Sequence, residues 1–191
     1  MIVLPAKIVM LQSPMNTTLF YGLILAASNI VLTLVFFFLG FQTDKIAEGR
    51  WFGLLPFALG IVVTWLGIKG VREEAKDKAL SYGKGVGSGV LINLYAGVIG
   101  SIYSFIHFTY INPNFCDYMM NMTRQKWAEA GMSDAQMDAM EKGMRFMMSP
   151  VMSSILGLIM TVFFGLVVAL VVSAFLKRAP QPVLEDAPPA A

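Results

Sequence analysis

The chain is poor in the residues that carry out chemistry. It has one cysteine and one histidine in 191 residues. It has no Asp, Glu, Lys or Arg in four stretches, Leu19–Phe41, Phe52–Ile68, Val86–Ile111 and Val151–Leu176. A lone Cys116 excludes an intrachain disulfide framework and reads as a small hydrophobe near a helix start. A lone His107 lacks the partners that a metal site or a catalytic pair requires. No nucleophile–base pair, paired carboxylates or zinc spacing is present, and the glycine-rich run Gly83–Gly89 enters an apolar helix with no strand before it, so it is not a phosphate loop. Ion-coupled carriers and proton relays place ionisable groups inside the bundle despite their expense. Their absence argues against a proton-driven transporter and leaves a neutral-solute path open. The net charge of +2 is scattered rather than gathered on one face, which gives no nucleic-acid footprint.

What is present is hydrocarbon. A helix needs about 20 apolar residues to cross a bilayer, and all four stretches qualify, the second only just. The expected fold is all-α: a polytopic membrane protein with four transmembrane helices over 19–41, 52–68, 86–111 and 151–176, in contact with a lipid bilayer. The expected layout is an N-terminal extension over 1–14, a membrane domain over 15–178 and a tail over 179–191. Met15 offers a second start directly before the first span, and the proline- and alanine-rich tail composition predicts disorder.

Lysine and arginine in short loops set orientation. One side holds Lys7, Lys69, Arg72, Lys76, Lys78, Lys84, Lys177 and Arg178, mostly dense and close to the membrane. The other holds Lys45, Arg50, Arg124, Lys126, Lys142 and Arg145, spread over longer connections. Both termini are therefore predicted to be cytoplasmic. Trp51 and Trp65, near opposite ends of span two, suit the two interfaces. The loop 69–85 reads as a continuation of span two, with Glu74 and Lys78 four apart in the favourable order, until Ser81-Tyr82-Gly83 breaks it.

The connection 112–150 reads as an external, amphipathic helical hairpin. Asn112 with Pro113 predicts the first start, Gly131 a left-handed end, and Ser133 with Gln136 a capping box flanked by Met132 and Met137. Ser149-Pro150 then opens span four. Ten of the fourteen methionines lie between Met119 and Met152. Met137, Met140, Met144 and Met147 recur at three- and four-residue steps, with Asp138, Glu141, Lys142 and Arg145 on other faces. Three readings fit that stripe: a membrane-lying or helix-packing face, an adaptable surface for a protein partner, or thioether ligands for Cu(I). The near absence of His and Cys ligands disfavours the last.

Small residues supply a packing code. Ser153, Gly157, Thr161, Gly165, Ala169 and Ser173 recur every fourth residue in span four. Gly85, Gly89, Asn93, Gly97 and Ser101 do so in span three, continuing to Ser104 and His107. Small-xxx-small spacing brings helices close, so spans three and four are expected to form an antiparallel pair. The fourfold step spirals around a 3.6-residue helix, predicting a right-handed crossing or different neighbours for its two ends. Asn29 lies at a depth similar to Asn93, and a bond between the two amides is expected. His107 is expected to be an interfacial imidazole bonded to backbone or water.

Five segments carry a family likeness. They are Tyr21-Gly22, Leu66-Gly67-Ile68-Lys69, Ser81-Tyr82-Gly83-Lys84, Tyr110-Ile111-Asn112-Pro113-Asn114-Phe115 and Ser173-Ala174-Phe175-Leu176-Lys177. With them the chain resembles, from about Met15 to Arg178, the bacterial domain of unknown function numbered 4199. The resemblance implies a four-span protein of the bacterial inner membrane, and it carries no catalytic residues across. The leading expectation is a non-enzymatic protein, without cofactor or metal, that works by association with a membrane partner or with itself. The alternative is a channel or carrier for a small neutral or lipid-like solute, lined by Asn93, Tyr95, Tyr103 and His107. An enzyme acting on lipid through His107 or Tyr103 is the third.

Overall fold

The computed structural model describes residues 16–75 and 78–179, and only the backbone of Arg50 and Phe52. The expectations for Met1–Pro14, Met15, Lys76 and the tail beyond Ala179 lie outside the described residues. Six α-helices follow one another: α1 (Thr17–Phe38), α2 (Leu55–Glu74), α3 (Tyr82–Ile106), α4 (Phe115–Glu129), α5 (Asp134–Met147) and α6 (Pro150–Leu176). A 3-10 segment, Glu48–Leu54, leads into α2, and a π-helical turn, His107–Ile111, extends α3. Helices α1, α2, α3 with its π turn, and α6 are each long and apolar enough to cross a bilayer. The α4–α5 hairpin lies between the third and fourth of these.

Polar residues set the boundaries. Asn16 caps α1 by accepting from the Thr18 backbone N–H at 3.1 Å. Ser81 caps α3 by accepting from the Lys84 N–H at 3.3 Å. Span three thus starts at Tyr82, before the expected Val86, because Ser81 caps the helix rather than breaking it. Gly131, at φ +79°, closes α4 in the left-handed region as expected. The capping box forms, with the Ser133 N–H donating to Gln136 Oε1 at 3.0 Å, and Ser149-Pro150 opens α6.

Two boundaries differ from expectation. α2 stops at Glu74 instead of running on toward Ser81. Glu74 accepts from Thr17 Oγ1 at the start of α1, while Lys78 Nζ pairs with Glu73 at 3.6 Å. The contact with Thr17 replaces the expected Glu74–Lys78 pair. Asn112 does not cap α4, which begins at Phe115 behind Asn114. The π turn consumes Asn112: its N–H donates to His107 O at 2.7 Å and its side-chain Nδ2 to Gln42 O at 3.1 Å.

The spans form an up-and-down bundle in which α3 touches the other three and α6 lies against α3 and α2. At one end Thr17 meets Glu74, and Leu80 and Arg178 exchange backbone hydrogen bonds, both 3.0 Å, in a two-residue antiparallel bridge. The buried Leu80 packs there with Ile68, Val168, Ala169, Val172 and Leu176. A second apolar cluster joins Leu25, Ala26, Val63, Ile92 and Ala96. Elsewhere the apolar side chains face outward. Val31, Val62, Ile102, Ile159 and Val171 are all more than half exposed. Such a belt would be a large apolar patch in water, and it is the expected surface in hydrocarbon.

The antiparallel pair of α3 and α6 forms, and over half its length it uses the fourfold register. A Cβ built on Gly85 would lie 2.7 Å from Ser173 Oγ, and one on Gly89 2.5 Å from Ala169 Cβ. One built on Gly165 would lie 2.2 Å from Asn93 Cγ. Beyond this point the seam loosens. Gly97 still approaches Leu158, within 2.8 Å of a built Cβ, with Thr161 near at 3.5 Å, but Gly157 and Gly100 have nothing within 4 Å. Ser153 is half-buried, and Ser154, outside the register, is buried instead. Asn93 does not meet Asn29. Its Nδ2 donates to Thr64 Oγ1 of α2 at 2.9 Å and to Gly89 O at 2.9 Å, while Asn29 Nδ2 turns back to Leu25 O at 3.0 Å.

Gly165→Ala should therefore destabilise the bundle by about 1–3 kcal/mol through overpacking against Asn93. Gly157→Ala, in open space, should cost nothing. Thermal unfolding in mild detergent checks both, and equal midpoints for the two variants would contradict this packing.

Candidate functional site

The loosening of the seam creates a cavity of about 540 Å³, lined by all four spans and open on one side. Leu25 and Asn29 of α1, Phe57 and Gly60 of α2, Gly97 and Gly100 of α3, and Gly157 and Thr161 of α6 contribute to its wall. Asn93 lies at its tight end, where Gly165 closes on it. Phe57, Met160 and Phe163, each more than half exposed, also line it and bring it to the lipid-facing surface. Three of its five polar side chains are hydrogen-bonded, and Ser104 and Thr161 are not. The amides of Asn29 and Asn93 donate as described, and Ser101 Oγ donates to Val98 O at 2.9 Å.

One turn further along α3 from Ser104 lies a buried polar cluster. His107 is fully buried within the protein. Its Nε2 lies 2.9 Å from Gln42 Oε1 and its Nδ1 3.1 Å from Tyr103 Oη. An amide oxygen only accepts, so this arrangement puts the proton on Nε2 and leaves Nδ1 to accept from the tyrosine. Phe37 and Phe108 meet the ring edge to face, at 5.7 and 5.2 Å. The expected partners, backbone or water, are replaced by side chains because the loop after α1 folds Gln42 over the end of α3. Gln42 Nε2 reaches back to Thr33 O at 3.4 Å. His107 is thus a clasp between the α1–α2 loop and the π turn.

The hairpin is held by ions as well as by methionine. Arg124 of α4 pairs with Asp138 at 2.9 Å and Glu141 at 2.5 Å on α5. Arg145 pairs with Asp117 of α4 and with Glu141, both at 2.7 Å. Asp138, Glu141 and Arg145 therefore face α4, a role that sequence spacing missed. The pair Glu141 and Arg145, four apart, marks a charged face but does not say that α4 is its partner. Hydrogen bonds from Arg145 first and Arg124 second hold the Glu141 carboxyl below the usual carboxylate range. Burial pushes the Cys116 thiol up, with Arg145 opposing, which fits a packing residue and not a reactive thiolate. Met137 is buried and Met144 half-buried, whereas Met140 and Met147 are exposed beside the exposed Phe146. The four-methionine stripe is split between an inner and an outer face.

Of the residues expected to line a path, Asn93 reaches the cavity and the others do not. Tyr95 lies against Gly22 of α1, 2.7 Å from a Cβ built there, and Tyr103 pairs with His107. Among the described residues, no group of three or more His, Cys, Asp or Glu could hold a metal ion.

Four long apolar helices, an apolar outer belt and a capped hairpin define a multi-pass membrane protein of the four-span type. The chain matches the model of the family described as Protein of unknown function (DUF4199) over residues 20–178, and it belongs to that family. No curated protein and no solved structure matches it.

Two outcomes test these contacts. His107→Leu and Gln42→Leu should each cost about 1–3 kcal/mol, the usual range for breaking a buried hydrogen bond. Since both remove the same bond, the double variant should cost clearly less than their sum in unfolding measurements, and additive losses would contradict the clasp. The hairpin pairs should be intact at neutral pH. A depressed carboxyl stabilises above its unfolded value, so this contribution fades only as pH falls below about 4.3. Spin labels at Asn121 and Lys142 should then show a broadened distance distribution at low pH but not at pH 7.

Proposed function

We propose that this chain is a non-enzymatic, multi-pass protein of the bacterial inner (cytoplasmic) membrane that acts by association, with an envelope partner or with itself, through the α4–α5 hairpin. Its membrane domain spans 15–178, and both termini lie in the cytoplasm, as the loop charges favour. The observation that carries the reading is the outer face of α5. Met140, Phe146 and Met147 stand exposed on a hairpin that ion pairs of Arg124 and Arg145 hold closed. Flexible thioethers beside an aromatic ring suit a partner surface that re-packs.

The test combines a photo-crosslinker at Met140 with purification in mild detergent. A discrete adduct, with a protein partner or a second copy, supports the reading. A monomeric mass with adducts to lipid alone sinks it. For orientation, single cysteines at Lys78 and Gln136 should be labelled from opposite sides of the membrane, and labelling from one side would overturn the four-span topology.

The cavity favours a second reading, a carrier for a lipid-like solute. The tight contact of Asn93 and Gly165 at one end of it supports a pocket in preference to a through-channel. Aqueous cysteine reagents should therefore fail to reach Gly89 and Gly85 beyond that contact.

A further inference from the structure

We infer that the cavity between the four spans is a binding site for one hydrocarbon chain of a bilayer phospholipid, entering from the membrane past Phe57, Met160 and Phe163. This deepens the second reading above and is independent of the hairpin. Size selects the occupant first. A helix with its side chains is about 10–12 Å across and rises 5.4 Å per turn, so one turn occupies roughly 400–600 Å³. The cavity, at about 540 Å³, holds one turn at most and cannot admit the several turns of a partner span. It lies within the roughly 300–1,000 Å³ typical of small-molecule pockets.

Chemistry selects next. Asn29, Asn93 and Ser101 direct their donors to neighbouring oxygens, so a polar solute would leave water and find only the hydroxyls of Ser104 and Thr161 as side-chain donors on a wall that is otherwise largely apolar. A saturated chain demands none. Access selects last: the rim residues are exposed on the face that meets the bilayer, whose own chains are the abundant apolar species there. The small residues that fail to pack, Gly100 and Gly157, then have a purpose: a Cβ on either would meet nothing within 4 Å, which leaves open space on the walls that α3 and α6 present to the cavity.

The experiment uses the full chain in nanodiscs containing a phosphatidylcholine with a diazirine in one acyl chain. After irradiation, adducts are mapped by mass spectrometry. Cavity-facing Ala96, Gly100, Ser104 and Gly157 should be labelled, as well as lipid-facing Ile102 and Val171. Gly157→Leu and the double variant with Gly100→Leu fill open space. They should lower cavity adducts by about tenfold, equivalent to roughly 1.4 kcal/mol of binding, and leave adducts at Ile102 and Val171 unchanged. Adducts confined to lipid-facing residues, or cavity adducts unaltered by the filling substitutions, would overturn the inference. If the variants fail to fold, an excess of free fatty acid added to the wild-type protein decides: selective loss of cavity adducts supports the site, and no loss overturns it. Chain binding without any lipid transfer between vesicles would sink the carrier reading and leave this one standing.

Discussion

The approach of α3 to α6 around Asn93 and Gly165 governs the rest of the bundle. In hydrocarbon, apolar side chains gain nothing by leaving lipid for another helix, so association rests on close packing and on hydrogen bonds. Gly165 lets Asn93 lie directly on the α6 backbone, and this fixes the rotation of α3 about its axis. That rotation aims the Asn93 amide at Thr64 and brings α2 into the same contact. Gly89 on Ala169 and Gly85 on Ser173 carry the seam to the end where Leu80 and Arg178 bridge. Three helices and one linker are thus placed by a contact whose essential feature is a missing side chain.

The same stripe explains why the other end opens. A step of four residues overshoots a helical turn by about 40°. Ser173, Ala169 and Gly165 remain within one broad face, but two further steps carry Gly157 well away from it. Small residues that pull the helices together at one end therefore stand apart from any neighbour at the other. Close packing and cavity are two consequences of one period.

The spans, their antiparallel pairing, Gly131 and the capping box were legible because each depends on residues close in sequence or on a single period. The partner of Asn93 was not. Asn29 matched it in depth, yet its amide was satisfied within its own helix, while Thr64 carried no pattern to distinguish it from a threonine bonded to its own turn. Gln42 was hidden for another reason. It lies just past the first span, and only the fold of the α1–α2 loop brings it to His107. The ion pairs of the hairpin required knowing which faces of α4 and α5 meet. Glu141 and Arg145, four apart, showed that one face was charged but not that it faced inward.

A common logic runs through the polar groups near or within the spans. Asn29, Asn93, Ser101, Gln42, Tyr103, His107 and Asn112 each contact a carbonyl, a hydroxyl, an amide or a ring nitrogen of the protein itself. Unsatisfied polar groups are costly where water is absent, so internal pairing is what a bilayer demands. Pairing spends most of these groups on holding the shape of the membrane domain, with the buried hydroxyls of Thr109 and Ser173, which have no hydrogen-bond partner, as exceptions. What the spans then present to another molecule is relief: a cleft of defined width and an apolar wall. In the hairpin, Met120 and Met137 are buried, partly exposed ion pairs of Arg124 and Arg145 join its two helices, and Met140, Phe146 and Met147 stand exposed. A protein built this way recognises by fit, and its specificity lies in where side chains are small as much as in where they are polar.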